Sequence, residues 1–210
     1  MTRLGRSAGR RPSSGFGDAP EVVVEHAGFF SHLVTRSTGR ALRMEIEARL
    51  ARARGAAVAV LDLTHVVMID YACADEIVAK IVERTGQGGA RRVLALLRGV
   101  SEHTREPIQR ALARRGLAAC AEGTGGRGML LGEIRDRENR AWEEVTRLGR
   151  AGTARTTEAV ARRLGTGDRQ ATEALETLTA RGLIFGDGSH YVSVAVMARA
   201  DTSTASADDE

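Results

Sequence analysis

A chain of 210 residues with 42% hydrophobic and 28% charged side chains has the make-up of a globular protein, with room for one sizeable domain or two small ones. No stretch approaches the roughly 20 apolar residues of a membrane span, and the arginine-containing opening (MTRLGRSAGRRPSSGFGDAP) lacks the apolar centre of a signal peptide, so residues 1–20 read as a disordered tail. The net charge of +4 is spread thinly, with ten arginines against nine acids over residues 135–198 and an acidic, disordered tail over 199–210, so charge alone gives no case for nucleic acid.

Glu21 to Glu25 reads as a first strand, followed by an Ala27-Gly28 turn. From Thr38 to Arg54, Leu42, Ile46 and Leu50 recur every four residues, a helix that Gly55 ends. Val58-Ala59-Val60-Leu61 then forms an unbroken apolar run, which marks 57–63 as a strand buried on both faces. Such a strand needs helices above and below it, which makes this an α/β unit rather than a bundle. A second run, Val66-Val67-Met68-Ile69, ends at Asp70, and a helix from about Cys73 to Thr85 buries Ile77, Val78, Ile81 and Val82. Glu76 and Lys80 form an i,i+4 pair on its outer side, and Gly86-Gln87-Gly88-Gly89 ends it. Strand 92–97 follows. Thr104 caps a helix running to Arg115, with Pro107 in its first turn and Ile108 and Leu112 inward. Leu117 to Ala121 is a short last strand near an edge. Alternation of strand and helix at this spacing predicts a βαβ-built sheet.

Past Gly132 helices take over. Arg137 to Leu148 is amphipathic through Ala141, Trp142, Val145 and Leu148, and 149–155 is a loop. Thr156 or Thr157 caps a short helix closed by Gly165; Asp168 caps another, burying Ala171, Leu175 and Leu178, that stops at Gly182. Leu183-Ile184-Phe185 and Tyr191-Val192-Ser193-Val194 flank Gly186-Asp187-Gly188-Ser189, a hairpin signal. Three helices and a hairpin follow winged helix-turn-helix order. The predicted organisation is a tail (1–20), a strand-helix domain (21–134), a winged-helix domain (135–198) and a tail (199–210), the two domains packing independently.

Other signals are weak. Gly123-Thr124-Gly125-Gly126-Arg127-Gly128 has dinucleotide-fingerprint spacing but follows the last strand rather than the first, so it reads as a flexible loop. No Walker-type Gly-Lys-Ser occurs, the five histidines show no paired metal spacing, and neither cofactor nor metal is expected. Asp62, His65 and Asp70 could be drawn as an acid/base group, yet such residues more often bond nearby backbone, and no enzyme is expected. Cys73, near a helix start, is either an activated thiol or a small buried hydrophobe spaced four residues from Ile77. Two cysteines without ligand spacing fit a reducing cytoplasm.

The strand ending in Leu61-Asp62-Leu63, the step to Ile69-Asp70, the helix opening Ala74-Asp75-Glu76 and the later Leu97-Arg98-Gly99-Val100-Ser101 resemble the STAS domain of the anti-sigma-factor-antagonist type. Arg169-Gln170-Ala171 and Ala180-Arg181-Gly182-Leu183-Ile184 resemble bacterial winged helices. The fold class these resemblances imply is α/β, a small STAS-like domain with a C-terminal winged-helix domain. They imply a non-enzymatic regulator whose first domain holds a regulatory protein, a kinase or an anti-sigma-like protein, and whose second binds double-stranded DNA. The alternative is an adaptor in which the winged helix dimerises or contacts a partner. In the STAS family a Ser or Thr at the start of the helix after the Asp is phosphorylated; this chain has Asp70-Tyr71-Ala72-Cys73 there, with neither. What remains is constitutive partner binding through Asp70, Tyr71 and Ala72 and the outer helix face of Asp75, Glu76, Lys80 and Arg84. In the blander reading Asp70 only caps the helix and the two acids favour its positive end. For DNA, the resemblance implies Arg169, Gln170 and Thr172 at base edges and Arg155, Arg162, Arg163 and His190 near phosphates, while Glu173 and Glu176 share the same helix.

Overall fold

A computed structural model describes residues 21–26, 31–52, 57–86, 93–149, 156–186 and 190–198, and shows a mixed α/β protein. The strands are β1 (Glu21–His26), β3 (Ala57–Asp62), β5 (Val93–Val100), β6 (Ala118–Gly123) and β7 (Gly128–Gly132), ordered β1-β3-β5-β6-β7 in one sheet. The first four run parallel, and β7 returns antiparallel to β6. A separate two-stranded parallel ribbon joins β2 (His32–Leu33) to β4 (Met68–Ile69). The helices are α1 (Arg36–Leu50), α2 (Tyr71–Ala74), a π-helical turn (Asp75–Ala79), α3 (Lys80–Gly86), α4 (Glu102–Ala113), α5 (Asp136–Leu148), α6 (Thr156–Leu164) and α7 (Asp168–Ala180). They are followed by the β8 (Ile184–Gly186) and β9 (Tyr191–Ser193) hairpin and a helical turn over 194–198.

The strand order decides the layering. Going from β1 to β6 the sheet grows in one direction without reversal, and parallel crossovers are right-handed. Every crossover helix therefore falls on the same face. Ile46, Ile77, Val78, Ile108 and Leu112 pack there against Leu61, Ala95, Leu97, Ala119 and Ala121. The other face carries the alternate residues Val58, Val60, Leu94, Leu96, Ala118 and Cys120, and no crossover helix can reach it. It is covered by the C-terminal segment, whose Trp142, Val145, Val160, Leu175, Leu178 and Val194 join those strand residues in a single core. Ala57 to Leu61 are accordingly at most 2% exposed, as the unbroken apolar run predicts.

This overturns the expectation of two independently packed modules. The amphipathic stripes of α5, α6 and α7 are satisfied by the sheet as well as by one another. Polar links cross the same seam: Cys120 Sγ donates to Leu183 O at 3.2 Å, and Arg181, held by Glu138 of its own segment at 2.6 Å, donates across it to the Gly116 and Glu133 carbonyls. Burial pushes the Cys120 thiol up to about 12, so it is a packing group.

Several local expectations need correction. Residues 117–121 lie near an edge but are not the last strand, because Met129, Leu130 and Leu131 form a further strand outside them, Leu131 packing on the crossover-helix side and Leu130 on the opposite one. The Gly-rich segment is the turn between β6 and β7. Helix α1 begins earlier, with Thr35 as its cap. Helix α4 is capped by Ser101, which forms a reciprocal capping box with Thr104, and Pro107 consequently lies in its second turn. Gly167, not Asp168, caps α7, and Val194 opens the helical turn after β9. The predicted tails 1–20 and 199–210, the Ala27-Gly28 turn, Gly55, Gln87-Gly88-Gly89, the 150–155 part of the predicted 149–155 loop and Asp187-Gly188-Ser189 lie outside the described residues.

Gly132 closes the edge strand with φ of 101°, and a Cβ there would lie 2.2 Å from the Leu117 carbonyl oxygen. The Gln109 amide clamps the same residue, accepting from Gly132 N at 2.8 Å and donating to Gly132 O at 3.0 Å. Because backbone on both sides is fixed, Gly132→Ala is expected to cost at least about 2 kcal/mol. A urea midpoint equal to wild type would contradict this backbone path.

Candidate functional site

The rim around Asp70 lies on the crossover-helix side of the sheet, away from α5–α7. Asp70 caps α2, its carboxylate accepting from Cys73 N at 2.7 Å, and Asp70, Tyr71 and Ala72 are half-buried. The Arg114 guanidinium lies 6.0 Å from the Tyr71 ring centroid. Cys73 is fully buried and its Sγ donates to Thr35 O at 2.8 Å. Burial, with Asp70 nearby, raises its pKa, so the activated-thiol option is not realised. Helix α1 crosses at this point through Gly39, where a Cβ would meet Cys73 Cα at 3.2 Å; that contact accounts for a glycine inside a helix.

Asp75 and Glu76 do not belong to an outer face. The π turn adds a residue to the helical repeat and rotates both carboxylates inward, leaving them 7% and 4% exposed. Arg115 grips Asp75 with two bonds, of 2.7 and 3.2 Å. Glu76 accepts from Lys80 at 2.6 Å and Arg36 at 3.0 Å, with Arg43 at 3.5 Å. The Arg115 hydrogen bonds hold the Asp75 carboxyl below its usual range, and the Lys80 bond does the same for Glu76. Residues 73–79 are thus enclosed on all sides, and the pair staples the helix to α1 and to the end of α4. Of the expected helix face, only Lys80 (half-buried) and Arg84 (exposed, paired with Glu47 at 2.7 Å) remain accessible.

What the rim offers instead is apolar. Leu33 and Ile69 point inward in the β2–β4 ribbon, so His32, Val34 and Met68 face out. Val34, Val67 and Met68 are 43%, 58% and 47% exposed. Ser31 O holds the loop by accepting from Val67 N and Met68 N at 2.8 and 3.2 Å. The Val66–Ile69 run carried this signal in the sequence, but only the pairing with β2 shows which of its members turn outward. Asp62 accepts from Thr64 N and Oγ1 at 2.9 and 2.5 Å, and His65 is exposed, so Asp62 and Asp70 serve backbone geometry and do not converge on an acid/base group. Among the described residues no three His, Cys, Asp or Glu gather in a way that could hold a metal, and no helix is long and apolar enough to cross a membrane.

On the other side of the molecule, Arg162, Arg163, Arg169 and Gln170 are exposed near the α6–α7 corner, while Thr172 and His190 are half-buried. Arg155 lies outside the described residues. Arg163 pairs with Glu143 at 3.3 Å and Arg169 with Glu173 at 3.2 Å, and Thr172 Oγ1 donates to Asp168 O at 2.9 Å. Asp168, Glu173 and Glu176 are also exposed on α7, so acids outnumber its one arginine. No protein-family model matches the chain, and no curated protein matches it.

Proposed function

We propose that this chain is a non-enzymatic regulatory adaptor that holds a protein partner at the β2–β4 rim, in the manner its STAS-like motifs imply. The observation that carries this reading is the exposure of Val34, Val67 and Met68 beside Asp70 and Tyr71. Clustered apolar side chains in water mark a contact surface, whereas single ones need no explanation. The partner is a regulatory protein, a kinase or an anti-sigma-like protein, presenting an apolar loop or helix face. In this reading the winged-helix-like segment serves chiefly as the second layer of the sheet.

A photo-crosslinking residue at Met68, expressed in the native host, is expected to give one discrete protein adduct. Val67→Asp in the same chain should remove the adduct with thermal stability within about 0.5 kcal/mol of wild type, because the residue is exposed. An adduct unaffected by Val67→Asp would sink the proposal; an adduct consisting of a second copy of this chain would convert it into homodimerisation. DNA binding is a second reading, favoured by the shared exposure of Arg162, Arg163, Arg169 and Gln170. It requires duplex binding that weakens with salt and is lost in Arg163→Ala/Arg169→Ala. The acids of α7 place it second.

A further inference from the structure

Between the β6–β7 turn, the first turns of α4 and the outer side of α5 lies a cavity of about 770 Å³. Three arginines from three elements line it: Arg105, Arg127 and Arg147. Arg147 is engaged by Glu144, its Nε donating at 3.0 Å. Arg105 and Arg127 are exposed and have no ion-pair or hydrogen-bond partner for their guanidinium groups among the described residues. The acid in the wall, Glu143, is already compensated, accepting from Asn139 at 3.1 Å and pairing with Arg163. Thr146 contributes a buried Oγ1 that has no hydrogen-bond partner. Met129, Leu130 and Trp142 give the wall an apolar stretch beside these polar groups.

These features select a class of ligand. Two uncommitted guanidinium forks and an orphan hydroxyl offer more donors than a carboxylate has use for, and match the three terminal oxygens of a phosphomonoester. The apolar side suits a flat organic body rather than a bare ion. We propose that this cavity binds a small aromatic phosphomonoester, its phosphate held by Arg105 and Arg127 and its body lying along Met129, Leu130 and Trp142. Arg105 and Arg127 belong to α4 and the β6–β7 turn, and Trp142 and Thr146 to the opposite layer. The ligand therefore spans the two layers of the molecule and ties them together. The site shares no lining residue with the β2–β4 rim and does not depend on what binds there.

Trp142 is the single tryptophan of the chain, so its emission reports on the cavity directly. The full chain is titrated with phenyl phosphate, inorganic phosphate, benzoate and phenol, by fluorescence and in parallel by calorimetry. Phenyl phosphate should bind saturably and raise the melting temperature. Inorganic phosphate and benzoate should bind at least tenfold more weakly, and phenol should not saturate. Arg105→Ala/Arg127→Ala, at two exposed positions, should melt like wild type without ligand and lose at least tenfold in affinity. No saturable response to phenyl phosphate overturns the proposal, as does equal affinity for the double variant. Inorganic phosphate binding as tightly as phenyl phosphate overturns the organic body, and benzoate binding as tightly overturns the phosphate.

Discussion

A fragment ending at Ile134 is expected to remain a partly collapsed, aggregating chain, although it contains every strand of the main sheet. Removing residues 135–210 uncovers Val58, Val60, Leu94 and Leu96, each now at most 1% exposed. At about 1.5–3 kcal/mol for each large apolar side chain, the loss comes to roughly 6–12 kcal/mol. That equals most of the 5–15 kcal/mol by which a domain is ordinarily stable. The fragment should bind a hydrophobic dye, lack near-ultraviolet circular dichroism and unfold without a cooperative transition. The full chain should unfold in one transition seen identically by fluorescence and far-ultraviolet dichroism. Trp142→Ala should lower its stability by about 3–5 kcal/mol while leaving that transition single. A soluble, cooperatively melting 21–134 fragment would refute the shared core.

The second large effect is expected at Glu76. Its side chain is 5% exposed and faces Lys80 at 30% and Arg36 at 58%. The solvated Arg36 contributes little and Arg43 keeps Glu47 at 2.7 Å, but removing the carboxylate leaves Lys80 without its partner and the Arg43 Nε without an anion beside it. Glu76→Ala should cost about 3–5 kcal/mol in urea unfolding, the range for breaking a buried pair from one side. The same network fixes the acid response. Asp75 and Glu76 have pKa values held below their usual 3.8 and 4.5, so the folded state binds fewer protons than the unfolded one. Their stabilisation is complete above those ordinary values and drains away as pH falls through the lowered ones. Melting temperature should hold from pH 7 to about 5 and drop below about pH 4. Glu76→Gln should start lower at pH 7 and fall less steeply in acid. Parallel acid profiles for the two proteins would exclude this role for Glu76.

How far the sequence speaks depends on the range of the interaction. The strand at Val58–Leu61, the capping Asp70, the inward Ile77, Val78, Ile81 and Val82 and the hairpin after α7 are written in neighbouring residues, and they stand where local pattern puts them. An apolar stripe on α5 says that something covers it but not what, so the union of α5–α7 with the sheet is invisible before the strand order is known. The π turn misleads in another way: one inserted residue shifts the helical phase, and Asp75 and Glu76 pass from the expected solvent side to the interior. Strand β7 was hidden because Gly128 and Gly132 bound so short an apolar run that periodicity has nothing to measure. The candidate rim was legible at Asp70 and Tyr71. Its apolar centre was not, since Val34 and Met68 meet only through a pairing across distant segments.

The one-sided placement of the crossover helices also bears on biosynthesis. A ribosome delivers β1 through β7 first, and the covering layer emerges only with residues 136–198. Until then half of the nascent sheet has no intramolecular mate, and its contacts close across a long sequence separation, which slows the final step. The newborn polypeptide therefore passes through an interval in which a chaperone, or a sister chain, competes with its own C-terminus for the same greasy plane.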